Sequence, residues 1–497
     1  MRSLVMKTIV VVGLSLAAIA LIAGLVVWRS LAPPAPLRPV ATDFTLQDVT
    51  VINPGAGRSE HQALTVRNGK VEIVSGIAAA GGPDMSRYRG MYVLPGLADM
   101  HGHMPPGNPL QLTSYVQLLE LAYGVTSVRD AADIDDTSLK AFRAAEKAGY
   151  PAPRLFPCGP FVSAGKAKWA NTVLQRGPED AAPVVAKLKA EGFHCIKAYD
   201  GLTGPMTAAL RAAAAEQHMS LIGHVPEALT YEQALLPDTQ HLMGVAMPAG
   251  GATASTLVTQ RGWDRVDDAR LEQVVATAKQ QGLANTPTLV LDHQLLTLEH
   301  YEEAKASPAG QLMPRLFRDV VWNPQDGIAA YRNMTAADFD LVRAALEKKK
   351  KLVRLLYEAG ARLHLGTDTQ QPFVAPGLAL QQEMRLFAES GIPAADIWRM
   401  ATVDAGQSLG VAPGLAQLGT IAPGAPADLL IFAKDPTADL TALDSLQAVV
   451  AQGRLYPKAD IDAKVAEYRA HYSGFIFDQL STMLGRAALR KTAAVAD

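Results

Sequence analysis

The chain has 497 residues, with 46 Lys and Arg against 48 Asp and Glu, a formal net charge of −2 and 49% hydrophobic residues. The near-neutral balance excludes a nucleic-acid binder, whose affinity for phosphate needs clustered basic surface. Two cysteines, Cys158 and Cys195, exclude a disulfide-dense scaffold and a Cys-rich zinc module, and the apolar content excludes intrinsic disorder.

The first element is Thr8–Trp28, 21 residues without a charge. As a helix it would be about 31 Å long, enough to cross a bilayer core. A cleaved signal peptide has a shorter apolar stretch, and a cut at Ser30–Ala32 would leave Pro33 next in the chain. Residues 1–30 are therefore read as an uncleaved signal-anchor. Arg2 and Lys7 precede the apolar run, which places the amino terminus in the cytoplasm and the remaining chain outside it, in the periplasm of a bacterium. Residues 31–40 are a stiff Pro-rich tether.

Residues 41–94 then alternate apolar and polar side chains through FTLQDVTVINP, ALTVRNGKVEIVSG and MYVL, with Asn68-Gly69 as a hairpin turn. Similar patterning returns in 406–458, and the two flanks are expected to form one composite β-sandwich domain. Between them, residues 95–405 carry short apolar runs such as GVTSVRD, LIGHVP, NTPTLVL and ARLHLGTDT. These alternate about eight times with helical stretches such as Asp268–Gln281. That alternation predicts an α/β fold, a (β/α)8 TIM-like barrel. Residues 292–361 form an insertion several times longer than an ordinary barrel connection, with a lid and a surface excursion both open as its role. Its run Lys348–Lys351 reads as a solvated helix face. Residues 459–497 have helical spacing and suit either partner docking or packing on the body.

The chemistry starts where the first β block ends, at Leu94-Pro-Gly-Leu-Ala-Asp-Met-His101-Gly-His103. Strand side chains alternate with period two, so His101 and His103 share one side. At the C-terminal end of a barrel strand that side is the mouth, where active sites of this fold lie, and two imidazoles there are half of a metal site. Lys197, His224, His241 and Asp368 each follow a short apolar run and precede a turn or helical stretch. Strand ends let side chains distant in sequence converge. By the same parity Cys195 is a core-filling residue one layer below Lys197, and His364 lies deeper than Asp368. Arg129 and Asp130 either line the mouth or pair with each other, and Asp428 is read as a turn residue.

In that order these residues resemble the binuclear-metal type of the amidohydrolase superfamily. GVTSVRD at Gly124–Asp130, IKAYDG, GHVPE, HLGTD and GTIAPGAPADLLIF at Gly419–Phe432 resemble its imidazolonepropionase- and prolidase-like branch, over roughly Asp43–Pro457. The resemblance implies that His101, His103 and Asp368 hold one divalent cation and His224 and His241 a second. Lys197 would bridge both as a CO2-derived carbamate, because an ammonium has no lone pair to offer. It also implies a metal-bridged hydroxide as nucleophile, with Asp368 as general acid/base. The bond cleaved would be the C–N amide bond of a small molecule such as a dipeptide or an N-acyl amino acid.

Zinc is the first expectation for this donor set, with manganese, cobalt and iron left open. Tyr199 and Tyr231 are candidate substrate contacts, and a homo-oligomer is compatible with the reading. One departure is Ala401-Thr402-Val403-Asp404-Ala405, where branch members often carry Thr-x-Asn and a small residue; the position is expected to be structural. The rival functions are a cyclic amidohydrolase opening an imide or lactam ring, and a mononuclear deaminase, whose relatives generally lack the bridging lysine. A metal-free scaffold does not suit a chain with all six positions filled.

Overall fold

The computed structural model describes residues 2–75, 83–246, 257, 259–409 and 415–496. Gly76, at the end of the ALTVRNGKVEIVSG stretch, lies outside them.

The N-terminal flank supplies β1 (Phe44–Asn53), β2 (Gly57–Arg67), β3 (Lys70–Ser75) and β4 (Tyr92–Pro95). The β2–β3 turn sits at Asn68 and Gly69, both with positive φ (50° and 74°), the left-handed pair that a two-residue hairpin needs. The chain passes through Gly96 into β5 (Leu97–Gly102), followed by β6 (Val125–Asp130), β7 (Arg154–Ala164) and β8 (Thr172–Gln175). Next come β9 (Cys195–Ala198), β10 (Ser220–Gly223), β11 (Asp238–Gln240), β12 (Ala284–Thr286) and β13 (Arg362–Leu363).

All of β5 to β13 except β8 lie side by side, each parallel to the next, while β8 pairs with β7. Beyond β13 the chain returns to β5: Met100 donates its N–H to the Leu365 carbonyl at 2.9 Å, and Thr367 donates to the His101 carbonyl at 3.1 Å. Gly366 makes this seam possible, since a Cβ there would stand 2.6 Å from Thr286 Cγ2 and 2.8 Å from His101 Cβ. The result is the (β/α)8 TIM-like barrel, and the helix Asp268–Gln281 falls where the sequence put it.

β14 (Leu429–Phe432), β15 (Leu446–Ala451) and β16 (Arg454–Pro457) join the N-terminal flank in one seven-stranded sheet, ordered β16-β15-β14-β4-β1-β2-β3. Leu46, Leu64, Val93, Ile431 and Val450 all meet in its core, fully buried. Both margins turn back, with Ala41 bridging Leu455 and Lys70 bridging Pro426, so the sheet folds over that core. Asp428 is more than a turn residue. It accepts from the Gln452 N–H at 2.7 Å and pairs with Arg154 at 2.5 Å, tying the sheet to the first residue of β7.

The helix Arg2–Leu31 contains an apolar window, Thr8–Leu31, of mean hydropathy 2.8 and with none of it buried, long and apolar enough to cross a membrane. The 292–361 insertion is mainly helical and packs against the segment after Asp368: buried Trp322 donates its indole N–H to the Gln370 carbonyl at 3.0 Å and packs on Phe373. The lysine run lies on the helix Ala336–Glu358 and is only partly solvated. Lys351 is exposed, but Lys349 is 1% exposed and pairs with Asp292 at 2.7 Å. The helical period places Lys349 on the face that buries Ala345, Leu346, Leu352 and Val353. At the far end the helix Lys458–Tyr472 packs on the body, with the Tyr468 hydroxyl donating to Ser114 Oγ at 2.9 Å and its ring stacked on Tyr115.

Candidate metal centre

His101 lies at the end of β5 and His103 directly after it, and Lys197 lies near the end of β9. His224 and His241 are the residues immediately after β10 and β11, and Asp368 follows the seam with β5. All six line one cavity of about 340 Å³. His241 and Asp368 hold φ of 59° and 62°, a left-handed conformation that non-glycine residues adopt rarely and that clusters at functional sites.

Hydrogen bonding assigns the ring nitrogens. Nδ1–H donates to Gln240 Oε1 from His101 (2.6 Å), to Asp200 Oδ1 from His224 (2.9 Å) and to Thr288 Oγ1 from His241 (2.7 Å). The Thr288 hydroxyl itself donates to the Pro287 carbonyl, so toward His241 it can only accept. In all three rings Nε2 therefore carries the lone pair. His103 turns Nδ1 toward Asp130 at 3.7 Å, and the Nε2 atoms of His101 and His103 lie 3.5 and 3.2 Å from Asp368 Oδ1. One ligand atom each of His101, His241 and Asp368 lies within 4.8 Å of the others, a triad able to hold a metal ion. The His241 ring centroid stands 4.6 Å from that of His101 and 5.0 Å from that of His224.

Burial pushes His101 and His241 well below the ordinary imidazole pKa, keeping both rings neutral. Burial likewise pushes the Lys197 ammonium down to about 7. Lys197 is 1% exposed, and its side-chain ammonium has no hydrogen-bond or ion-pair partner among the described residues. Burial opposes ionisation of Asp200, but His224 and Lys168 hold its carboxyl well below the usual range.

The residues behind the centre were not legible as a set. Asp99 accepts from the His101 N–H at 2.9 Å and from the Thr367 hydroxyl at 2.5 Å. Gln240 donates to Asp238 Oδ1, and Asp238 Oδ2 takes Arg129 at 2.7 Å and His364 at 2.9 Å. Arg129 and Asp130 thus do not pair with each other, because neighbours on a strand point to opposite sides, and neither lines the cavity. His364 is the buried supporting residue the parity indicated. Cys195 does lie in the layer below Lys197, but it is disulfide-bonded to Cys158, its partner in the β7–β9 register. Asp404 of the divergent 401–405 stretch pairs with Arg399, away from the cavity.

Of the two tyrosines, Tyr199 lines the cavity with its ring 4.6 Å from His224. Tyr231 does not reach it. It opens the helix Tyr231–Ala234, is 1% exposed in the core, and donates its hydroxyl to Asn285 at 3.1 Å.

The sequence matches the amidohydrolase family over residues 92–456. The chain belongs to the amidohydrolase family. Among solved structures, this amidohydrolase is similar to bottromycin amidohydrolase, with a TM-score of 0.66 at 23% identity over 90% of this chain and 92% of that one. A Xaa-Pro dipeptidase with methionine bound in its active site gives 0.60 at 17% identity over 84% and 100%. The A. niger ochratoxinase gives 0.57 at 16% identity over 83% and 95%. At these identities the likeness shows the fold. No curated protein matches the chain.

Proposed function

We propose that this amidohydrolase is a membrane-tethered, binuclear metal enzyme that cleaves the C–N amide bond of a dipeptide or N-acyl amino acid. The observation that carries the reading is the donor set itself. Three imidazoles with Nε2 left free, a fourth within 3.2 Å of Asp368, and a buried lysine without a partner all line one cavity. Nitrogen and carboxylate-type donors in that number fit two divalent cations, and zinc suits them. His101, His103 and Asp368 would hold one and His224 and His241 the other. Lys197, poised near neutrality, would bridge them once its free amine has added CO2. When bound, such cations polarise a carbonyl oxygen and lower the pKa of water toward 7.

The side chains of the chain supply the rest. Asp368 takes the proton of the attacking water and returns it to the leaving nitrogen. Gln240, Asp200 and Thr288 fix three rings in the ligating tautomer. Trp169 donates to the Tyr199 hydroxyl at 3.0 Å, leaving the Tyr199 O–H free to donate to a substrate carbonyl. The helix Arg2–Leu31 supports the anchor, and the Cys158–Cys195 disulfide suits an oxidising, extracytoplasmic compartment. The test is a screen of dipeptides and N-acyl amino acids with metal-replete enzyme supplied with CO2. Turnover of linear amides is expected. Turnover of cyclic imides alone, or ammonia release from a purine or pyrimidine, would overturn the reading.

A further inference from the structure

The walls of the same cavity narrow the substrate class, an inference that rests on the amide-hydrolase reading. A row of aromatic rings starts at His224 and leads away from it. Ring centroids are 4.6 Å apart between His224 and Tyr199, 4.4 Å between Tyr199 and Phe161, and 5.7 Å between Phe161 and Trp169, the last pair stacked at 19°. Phe161 and Tyr199 are buried, whereas Trp169 at the end of the row is 37% exposed. The 292–361 insertion contributes Ile328 and Tyr331 to the same lining. The insertion thus supplies part of the cavity wall.

Charge points the same way. Apart from Lys197, Lys168 is the one Lys or Arg among the described lining residues. Its ammonium is already engaged by Asp200 and Glu227, each at 2.8 Å. An anionic side chain would lose its water against these rings and find Lys168 already engaged, and a cationic one would find Asp200 already paired with Lys168 and His224. A flat apolar group would gain buried area and ring contacts instead.

We propose that the substrates carry an uncharged aromatic or bulky apolar side chain beside the scissile amide, seated against Phe161, Trp169, Tyr199 and Tyr331. Trp169 and Tyr331 are then specificity-determining residues.

The test uses the full-length, metal-replete chain with CO2 present. It measures kcat/KM for N-acetyl-Phe, N-acetyl-Trp, N-acetyl-Ala, N-acetyl-Asp and N-acetyl-Lys, and binding of the free amino acids Phe, Trp, Ala, Asp and Lys by calorimetry. The aromatic members are expected to lead the others by roughly tenfold or more, the scale on which apolar pockets discriminate. Trp169→Ala should collapse that ratio and Trp169→Phe should keep it. Equal values for Phe and Asp, or a ratio untouched by both Trp169→Ala and Tyr331→Ala, would overturn the proposal. Selective binding of Phe without turnover of any amide would sink the hydrolase reading and leave the aromatic seat standing. Unselective turnover would do the reverse.

Discussion

The seven-stranded sheet and the barrel mouth both bury side chains but are built by opposite means. In the sheet, Leu46, Leu64, Val93 and Ile431 are buried against one another with no side-chain polar atom to satisfy. At the mouth the residues removed from water include Asp99, His101, Asp130, Lys197, Gln240 and His241. Apolar packing tolerates exchange between side chains of similar size. A buried polar network does not, because losing one partner strands another in low dielectric. The sheet should therefore respond to lost volume and the mouth to lost hydrogen-bond partners.

Substitutions at four positions sharpen or break that contrast, in falling order of effect. Asp368→Asn removes the carboxylate nearest His101 and His103, and kcat/KM should fall by about 10²–10⁴-fold, the scale of general acid–base catalysis. Its far-UV circular dichroism should be unchanged. Arg129→Met leaves Asp238 without its cation, and urea unfolding should show a loss of about 3–5 kcal/mol; a loss under 1 kcal/mol would end the contrast. Leu64→Ala opens a cavity in the sheet and should cost about 2–5 kcal/mol, with turnover per folded molecule preserved, while Leu64→Met should cost less than about 1.5 kcal/mol. Asp200→Asn loosens the His224 ring and should weaken metal binding about 10–100-fold in a chelator titration, with little change in unfolding.

The same contrast explains what the sequence revealed. The helix Asp268–Gln281 was legible because its signals are local. Asp267 accepts from the Arg270 N–H at one end, and Gly282 takes a positive φ of 63° at the other. The β2–β3 hairpin announced itself through Asn68-Gly69 in the same way. His101 and His103 followed from strand parity, and Lys197, His224, His241 and Asp368 from their places at strand ends.

Other features depend on which strands become neighbours and in what register, which no local signal carries. The Arg129–Asp238 pair joins β6 to β11, and the disulfide needs Cys158 opposite Cys195. Lys349 misled because a run of four lysines looks solvated, although one of the four had to fall on the buried face of its helix. For Tyr231, no local signal told that the helix it opens would hold its ring in the core.

Metal content tests the centre most directly. Elemental analysis of the full-length wild type and of Lys197→Ala, both purified in excess zinc and bicarbonate, should give about two equivalents per chain for the first and at most about one for the second. One equivalent in the wild type, or two retained with full activity in Lys197→Ala, would contradict the binuclear centre.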